Sequence, residues 1–158
     1  MTQALRRPAI ARDGALAVRV LVDTNVFIKF CRRLPLSAVI QKTLADPQTE
    51  RLLSPVSVIE LYRLWQRGHV PDHPDTWLDL ALPSWTVLAI TVPIARLSVL
   101  WEWEHKDPAD RLLAATAKIE NAELWHTDTT LKKLKGFPQR YFANVAEHTG
   151  PQPPLLTP

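Results

Sequence analysis

The sequence predicts an α/β domain built around a mainly parallel sheet. Short apolar β-like runs alternate along the chain with longer helical ones, the order in which strand–helix–strand units are written. The first β-like run, Val18-Arg19-Val20-Leu21-Val22, is short, β-branched and mostly apolar, as a strand covered on both faces should be. No long linker or internal repeat interrupts the body, and 158 residues suit one domain with a real core.

Each element has a local reason. After Val18–Val22, Asn25–Arg33 and Leu36–Leu44 read as helices separated by Pro35. Arg51–Ser54 is a brief strand, and Pro55 suits the first turn of a helix running to about Arg67, which Gly68 closes. A short helix around Asp75–Leu82 and a strand Thr86–Ile90 follow. Pro93 opens the next helix, with Ile94, Leu97, Leu100 and Trp101, and Val99 as a further candidate, forming its buried stripe. Asp107-Pro108 starts a helix to about Asn121, with Leu112, Leu113, Thr116 and Ile119 facing inward. Leu124–Thr127 is a strand, Leu131–Lys135 a short helix ended by Gly136, and Arg140–Ala143 a last strand. Residues 1–17 lack a clear period and are expected to be a flexible N-terminal extension. The Pro-rich stretch 150–158 is expected to be a flexible tail, leaving 18–149 as the domain.

Composition narrows the classes. An apolar share of 46% with 22% charged residues is that of an ordinary soluble protein, and no apolar run approaches a membrane span. The net charge of +3 permits a polyanionic partner without requiring one. A single Cys31 cannot form an internal disulfide, which fits a reducing cytoplasm, and it reads as a packed side chain. Arg6-Arg7 resembles an export signal, but Arg12, Asp13 and Arg19 break the apolar segment such a signal needs, so the protein is expected in the cytoplasm. With one Cys and scattered His, a zinc finger is excluded; no nucleophile-elbow, Walker or dinucleotide glycine pattern occurs among only four Gly. The six Trp, Trp101 and Trp103 among them, read as core or interface aromatics.

What stands out is acidic. Asp23, Glu60, Asp110 and Asp128 each lie at the edge of, or inside, an apolar segment, where a carboxylate is costly without a partner. Each also has an ordinary explanation. Asp23 and Asp128 suit helix N-caps or turns, and Glu60 could be a solvated helical residue. Asp107 and Asp110 both suit a helix start, but capping fully accounts for Asp107, whereas Asp110 is one turn in. Asp107 is therefore read as cap or outer support. Asp23 and Asp128 both follow predicted strands, and ligands of parallel sheets sit outside the carboxyl ends of strands. If the fold gathers the four acids, they form a hard-oxygen site for Mg²⁺ or Mn²⁺, and the ion would relieve their mutual repulsion. Lys29, Arg32, Arg33, Arg111 and Lys118 are candidate contacts to a phosphate backbone, each equally readable as helix solvation. His105 and His126 flank the acidic segments and read as surface or supporting residues.

Taken together, these residues resemble the PIN-domain ribonucleases, specifically the VapC-like toxins of type II toxin–antitoxin systems. The resemblance covers about residues 18–144. It rests on Val20-Leu21-Val22-Asp23-Thr24-Asn25, on Ser54–Leu61, on His105–Ala117 and on Thr127-Asp128; the third segment is the most specific. It implies a three-layer α/β/α domain and a Mg²⁺- or Mn²⁺-dependent endoribonuclease whose acidic cluster is Asp23, Glu60, Asp110 and Asp128. By that resemblance Asp23 and Asp110 are the principal metal ligands, and Glu60 and Asp128 complete the site directly or through water. Thr24, Asn25 and Thr127 support it, and the products carry a 5′-phosphate. It further implies an RNA substrate, a homodimer, and a small antitoxin whose tail blocks the site. The extension and the Pro-rich tail depart from the family pattern. A catalytically inactive PIN-like module that binds RNA or protein is the alternative reading.

Overall fold

The computed structural model describes residues 17–145. The expected tail at 150–158 and nearly all of the expected N-terminal extension lie outside those residues.

Five strands form one sheet in which every neighbouring pair is parallel. They are β1 (Arg19–Val22), β2 (Glu50–Leu53), β3 (Thr86–Val87), β4 (Glu123–His126) and β5 (Gln139–Tyr141). Their order across the sheet is β3-β2-β1-β4-β5. β1 is the centre, and its three apolar residues are fully buried. Val20 and Val22 point into one cluster with Phe27, Ile40, Leu61 and Trp85, whereas Leu21 points into the other with Leu113, Ala117 and Leu131. A strand covered on both faces needs apolar residues at every position, which is why β1 does not alternate.

Six helices supply the two outer layers: α1 (Thr24–Cys31), α2 (Ala38–Ala45), α3 (Pro55–Gln66), α4 (Leu78–Ala81), α5 (Val92–Leu100) and α6 (Pro108–Glu120). The first cluster draws on α1 to α4 and the second on α6, giving three layers, α/β/α. Local signals set the ends. Ser54 caps α3 ahead of Pro55, and past its end Gly68 adopts φ +76, where side chains are strained. Asn121 ends α6 in the left-handed conformation at φ 50.

Several expectations needed correction. The strand expected over Thr86–Ile90 pairs only at Thr86–Val87. The helix expected over Asp75–Leu82 is divided into a 3₁₀ turn at Pro74–Thr76, α4, and a 3₁₀ turn at Leu82–Ser84; Pro74 and Pro83 each remove a backbone donor. The segment expected as a helix over Leu131–Lys135 is a 3₁₀ turn, Leu131–Lys133. The buried stripe of α5 is also different. Ile94 and Ser98 face the core, while Val99 and Leu100 are 76% and 68% exposed. Because α5 is apolar around most of its circumference, its periodicity does not select a face, and packing against α6 does.

The chain order steps from β1 to β2 and β3 on one side and returns through β4 to β5 on the other. Between β1 and β4 it therefore has a switch point, where a crevice opens at the carboxyl ends of the strands. No helix among the described residues is long and apolar enough to cross a membrane.

Candidate active site

At that crevice the segments after β1 and β4 are tied together. The N–H of Asp23 donates to the carbonyl of Trp125 at 3.0 Å, and the N–H of Thr127 donates to Asp23 Oδ2 at 3.2 Å. Asp23 Oδ1 accepts from the N–H of Val26 at 2.7 Å and caps α1. The capping reading of Asp23 was thus correct as far as it went, but it does not exhaust the residue. Its carboxyl is 8% exposed. Burial pushes it up to about 7 from 3.8, with the negative charges of Glu60 and Asp128 adding to the rise and the two backbone N–H groups opposing it.

The neighbours of Asp23 build the frame. Thr24 Oγ1 donates to Glu60 Oε2, joining the start of α1 to the middle of α3. Asn25 Nδ2 donates to Thr127 Oγ1 at 2.7 Å and to Asn144 Oδ1 at 3.3 Å, joining α1 to the end of β4.

On the opposite wall, Asp107 Oδ1 accepts from the N–H groups of Ala109 and Asp110 at 2.8 and 3.2 Å. It is the N-cap of α6, as its sequence position indicates. Asp110, one turn in, has its Oδ2 2.6 Å from Nε2 of His105. Burial raises the Asp110 carboxyl to about 6; the His105 hydrogen bond opposes the rise, and Asp107 and Asp128 add to it.

Asp128 is held from three directions. Its Oδ1 accepts from the N–H groups of Thr130 and Leu131 at 2.5 and 3.1 Å, and its own N–H donates to His126 Nδ1 at 3.2 Å. That contact sets the tautomer of the fully buried His126: Nε2 carries the proton and donates to Gln139 Oε1 at 2.8 Å. Burial lowers the His126 pKa, so the imidazole stays neutral and orients the Asp128 backbone. His105 and His126 thus each support one of the acids.

All four acids line one cleft of about 450 Å³, together with Thr24, Asn25 and Asp107. Asp110 Oδ1, Asp128 Oδ2 and Glu60 Oε1 have no hydrogen-bond partner among the described residues. Each of these three acids therefore commits one oxygen to the protein and leaves one for the cleft. The acids surround the space rather than meeting at a point. Among the described residues no three His, Cys, Asp or Glu side chains stand close enough together to hold one ion.

The expected cationic residues are elsewhere, and three of them have other tasks. Arg111 donates to the backbone carbonyls of Ser98, Val99, Trp101, Trp103 and His105, so its guanidinium is consumed holding the α5–α6 connection. Arg32 is engaged with Asp72 at 2.5 Å, and its side chain is 8% exposed. Lys29 is buried, and Lys118 Nζ donates to the carbonyl of Gly136 at 2.8 Å. Arg33 is exposed at the end of α1 with φ 54. None of these five lines the cleft. The cations that do are Arg63 of α3 and Arg67, its C-cap, which sequence reasoning missed. A usable signal was present: positions 60, 63, 64 and 67 share one helical face, so a helix that aims Glu60 at the site aims these too.

Residues 20–136 match the family model for the PIN domain. Solved structures share the fold, two toxin–antitoxin complexes among them. The crystal structure of VapBC2 from Rickettsia felis bound to a DNA fragment from their promoter superposes with a TM-score of 0.65 at 16% identity, covering 79% of this chain and 99% of that one. A toxin–antitoxin complex from Klebsiella pneumoniae gives 0.54 at 22% identity, covering 72% and 90%. No curated protein matches the chain.

Proposed function

The chain belongs to the PIN domain family, and from that premise we propose that it is a divalent-metal-dependent endoribonuclease acting as the toxin of a toxin–antitoxin pair. One observation carries the nuclease reading. Four carboxylates from α3, α6 and the segments after β1 and β4 line one cleft, and Asp23 and Asp110 there are raised partly by the other acids. Two carboxylates about 5 Å apart repel by roughly 3 kcal/mol at an effective dielectric near 20, a cost that a structural role would avoid and a cation removes.

The donor set suits a hard divalent ion. Asp23 and Asp110 would be its principal ligands, with Glu60 and Asp128 completing the shell directly or through water. Mg²⁺ takes one or two carboxylates and keeps several waters, which accords with acids that surround a space without three of them converging; Mn²⁺ accepts similar ligands. Bound there, the ion would lower the pKa of a water and offset charge on the phosphoryl oxygens. The chain's own part is to hold the oxygens in place. The N–H groups of Val26 and Thr127 fix Asp23, Thr24 fixes Glu60, His105 fixes Asp110, and the N–H groups of Thr130 and Leu131 fix Asp128.

Purified protein is expected to cut RNA with Mg²⁺ or Mn²⁺ and not with EDTA, and Asp23→Asn or Asp110→Asn to abolish cutting. Full activity in both variants would overturn the assignment. An inactive binding module would bind RNA but cut it under neither condition.

The toxin role is supported by the structural likeness to toxin–antitoxin complexes and implies a small antitoxin covering the cleft. We assign the activity to residues 18–149 and its site of action to the cytoplasm. A homodimer is part of the same proposal, and the exposed Val92, Val99 and Leu100 of α5 offer one apolar surface for it.

A further inference from the structure

The cleft has two chemical halves. Its acids come from four separate segments, whereas its cations come from one face of α3: Arg63 and Arg67, one helical turn apart and one and two turns beyond Glu60. Both are exposed, and neither guanidinium is hydrogen-bonded or ion-paired among the described residues. Asp72, a carboxylate in the segment just after α3, is taken by Arg32. Arg63 lies in the last turn of α3 and Arg67 is its C-cap, positions where the helix dipole favours cations. Neither guanidinium meets a carboxylate within ion-pair distance among the described residues, whereas Arg32 and Arg111 are used internally. The spacing of Arg63 and Arg67 along the helix axis is about 6 Å, close to that of adjacent phosphates on an extended strand. Arg is also the side chain whose planar fork matches phosphate oxygens two at a time.

We propose that Arg63 and Arg67 form a phosphate track that grips the single-stranded RNA backbone beside the scissile phosphate, independently of base sequence. The inference rests on the nuclease reading and extends it by naming the binding residues and the substrate form. A single strand fits better than a duplex because the two cations lie on one helix face at the rim of one cleft and reach one backbone.

The test is equilibrium binding of a short fluorescein-labelled single-stranded oligoribonucleotide, read by anisotropy across a salt series in EDTA so that no cutting intervenes. Arg63→Ala with Arg67→Ala is expected to weaken binding by about tenfold to a hundredfold at low salt. It should also reduce the slope of log affinity against log salt by about 1.4, the value for two lost contacts to a single strand. Arg63→Lys with Arg67→Lys should retain the slope and lose part of the affinity, and Arg33→Ala should change neither. Since both side chains are exposed, circular dichroism should show the double alanine variant folded like the parent. If it binds the strand with the parent's affinity and slope, the phosphate track is wrong while the nuclease reading stands on the carboxylate variants. If the parent itself neither binds nor cuts RNA, both readings fall.

Discussion

Asp23 and Asp110 illustrate how a residue can satisfy a local rule and still serve something else. Asp23 accepts two backbone N–H bonds, which would ordinarily hold a carboxylate low, yet burial and the neighbouring acids lift it to about 7. Asp110 reaches about 6 by the same causes. Both pKa values lie above the 3.8 of an exposed Asp, so the folded chain binds these protons more tightly than the unfolded chain. Their stabilising contribution is complete below about pH 3.8 and lost as pH rises through 6 and then 7. In the ion-free protein this part of the pH dependence should lower Tm between pH 5 and pH 8, and saturating Mg²⁺ should reverse much of the loss. Asp110→Asn keeps an acceptor for His105 and removes the charge. It is expected to be more stable than the parent at pH 8 without the ion, by on the order of 1–2 kcal/mol, and inactive. A melt at pH 8 in which the variant is less stable than the parent would contradict this account. Cleavage at subsaturating Mg²⁺ should accordingly fall as pH drops, and added Mg²⁺ should move that fall to lower pH, because protons compete with the cation for the same oxygens.

At the scale of elements, the connection between α5 and α6 depends on Arg111. The connection has no strand or helix to satisfy its carbonyls, and one guanidinium serves three of them together with two at the end of α5. The same segment ends in His105, which fixes Asp110 Oδ2. Arg111→Ala is therefore expected to cost about 2 kcal/mol, since it removes five hydrogen bonds from a charged donor, four of them partly buried, and to lower activity with it. Arg111→Lys should recover little of this, because an ammonium offers three donors without the planar fork. Denaturant titration separates the two roles. A phosphate-binding Arg111 would leave stability unchanged, and that result would refute the structural assignment. A similar economy holds at the end of β4, where neutral His126 links Gln139 of β5 to the Asp128 backbone.

For the whole molecule, parallel strand order places the crevice between β1 and β4, and four segments distant in sequence deliver acids to it. The outward face of α5 is the other global feature. Val92, Val99 and Leu100 remain 69%, 76% and 68% exposed on a helix whose buried side is only Ile94 and Ser98. Covering that face with a second copy predicts that Val99→Lys with Leu100→Lys converts a dimer to a monomer by light scattering, with secondary structure unchanged. A monomeric parent protein, or a variant that stays dimeric, would rule out this surface.

The four acids were grouped through the family resemblance; the sequence by itself determined the alternation of strands and helices, the buried first strand, and the caps at Asp23 and Asp107. These were legible because they depend on neighbours within a turn or a strand. It put Leu100 on the buried side of α5, whereas Ile94 and Ser98 are buried, because a helix apolar around most of its circumference has no strongly preferred side until α6 packs on it. It also could not tell the cations apart. Arg32 and Arg111 look as available in the chain as Arg63 and Arg67. What separates them is whether Asp72 or the carbonyls of 98–105 arrive from elsewhere to occupy the guanidinium. The raised carboxyls belong to the same class, since desolvation and mutual repulsion exist only after distant segments meet in a low-dielectric cleft. Local geometry can be read along the chain, whereas the partners of a charge are chosen by the tertiary fold.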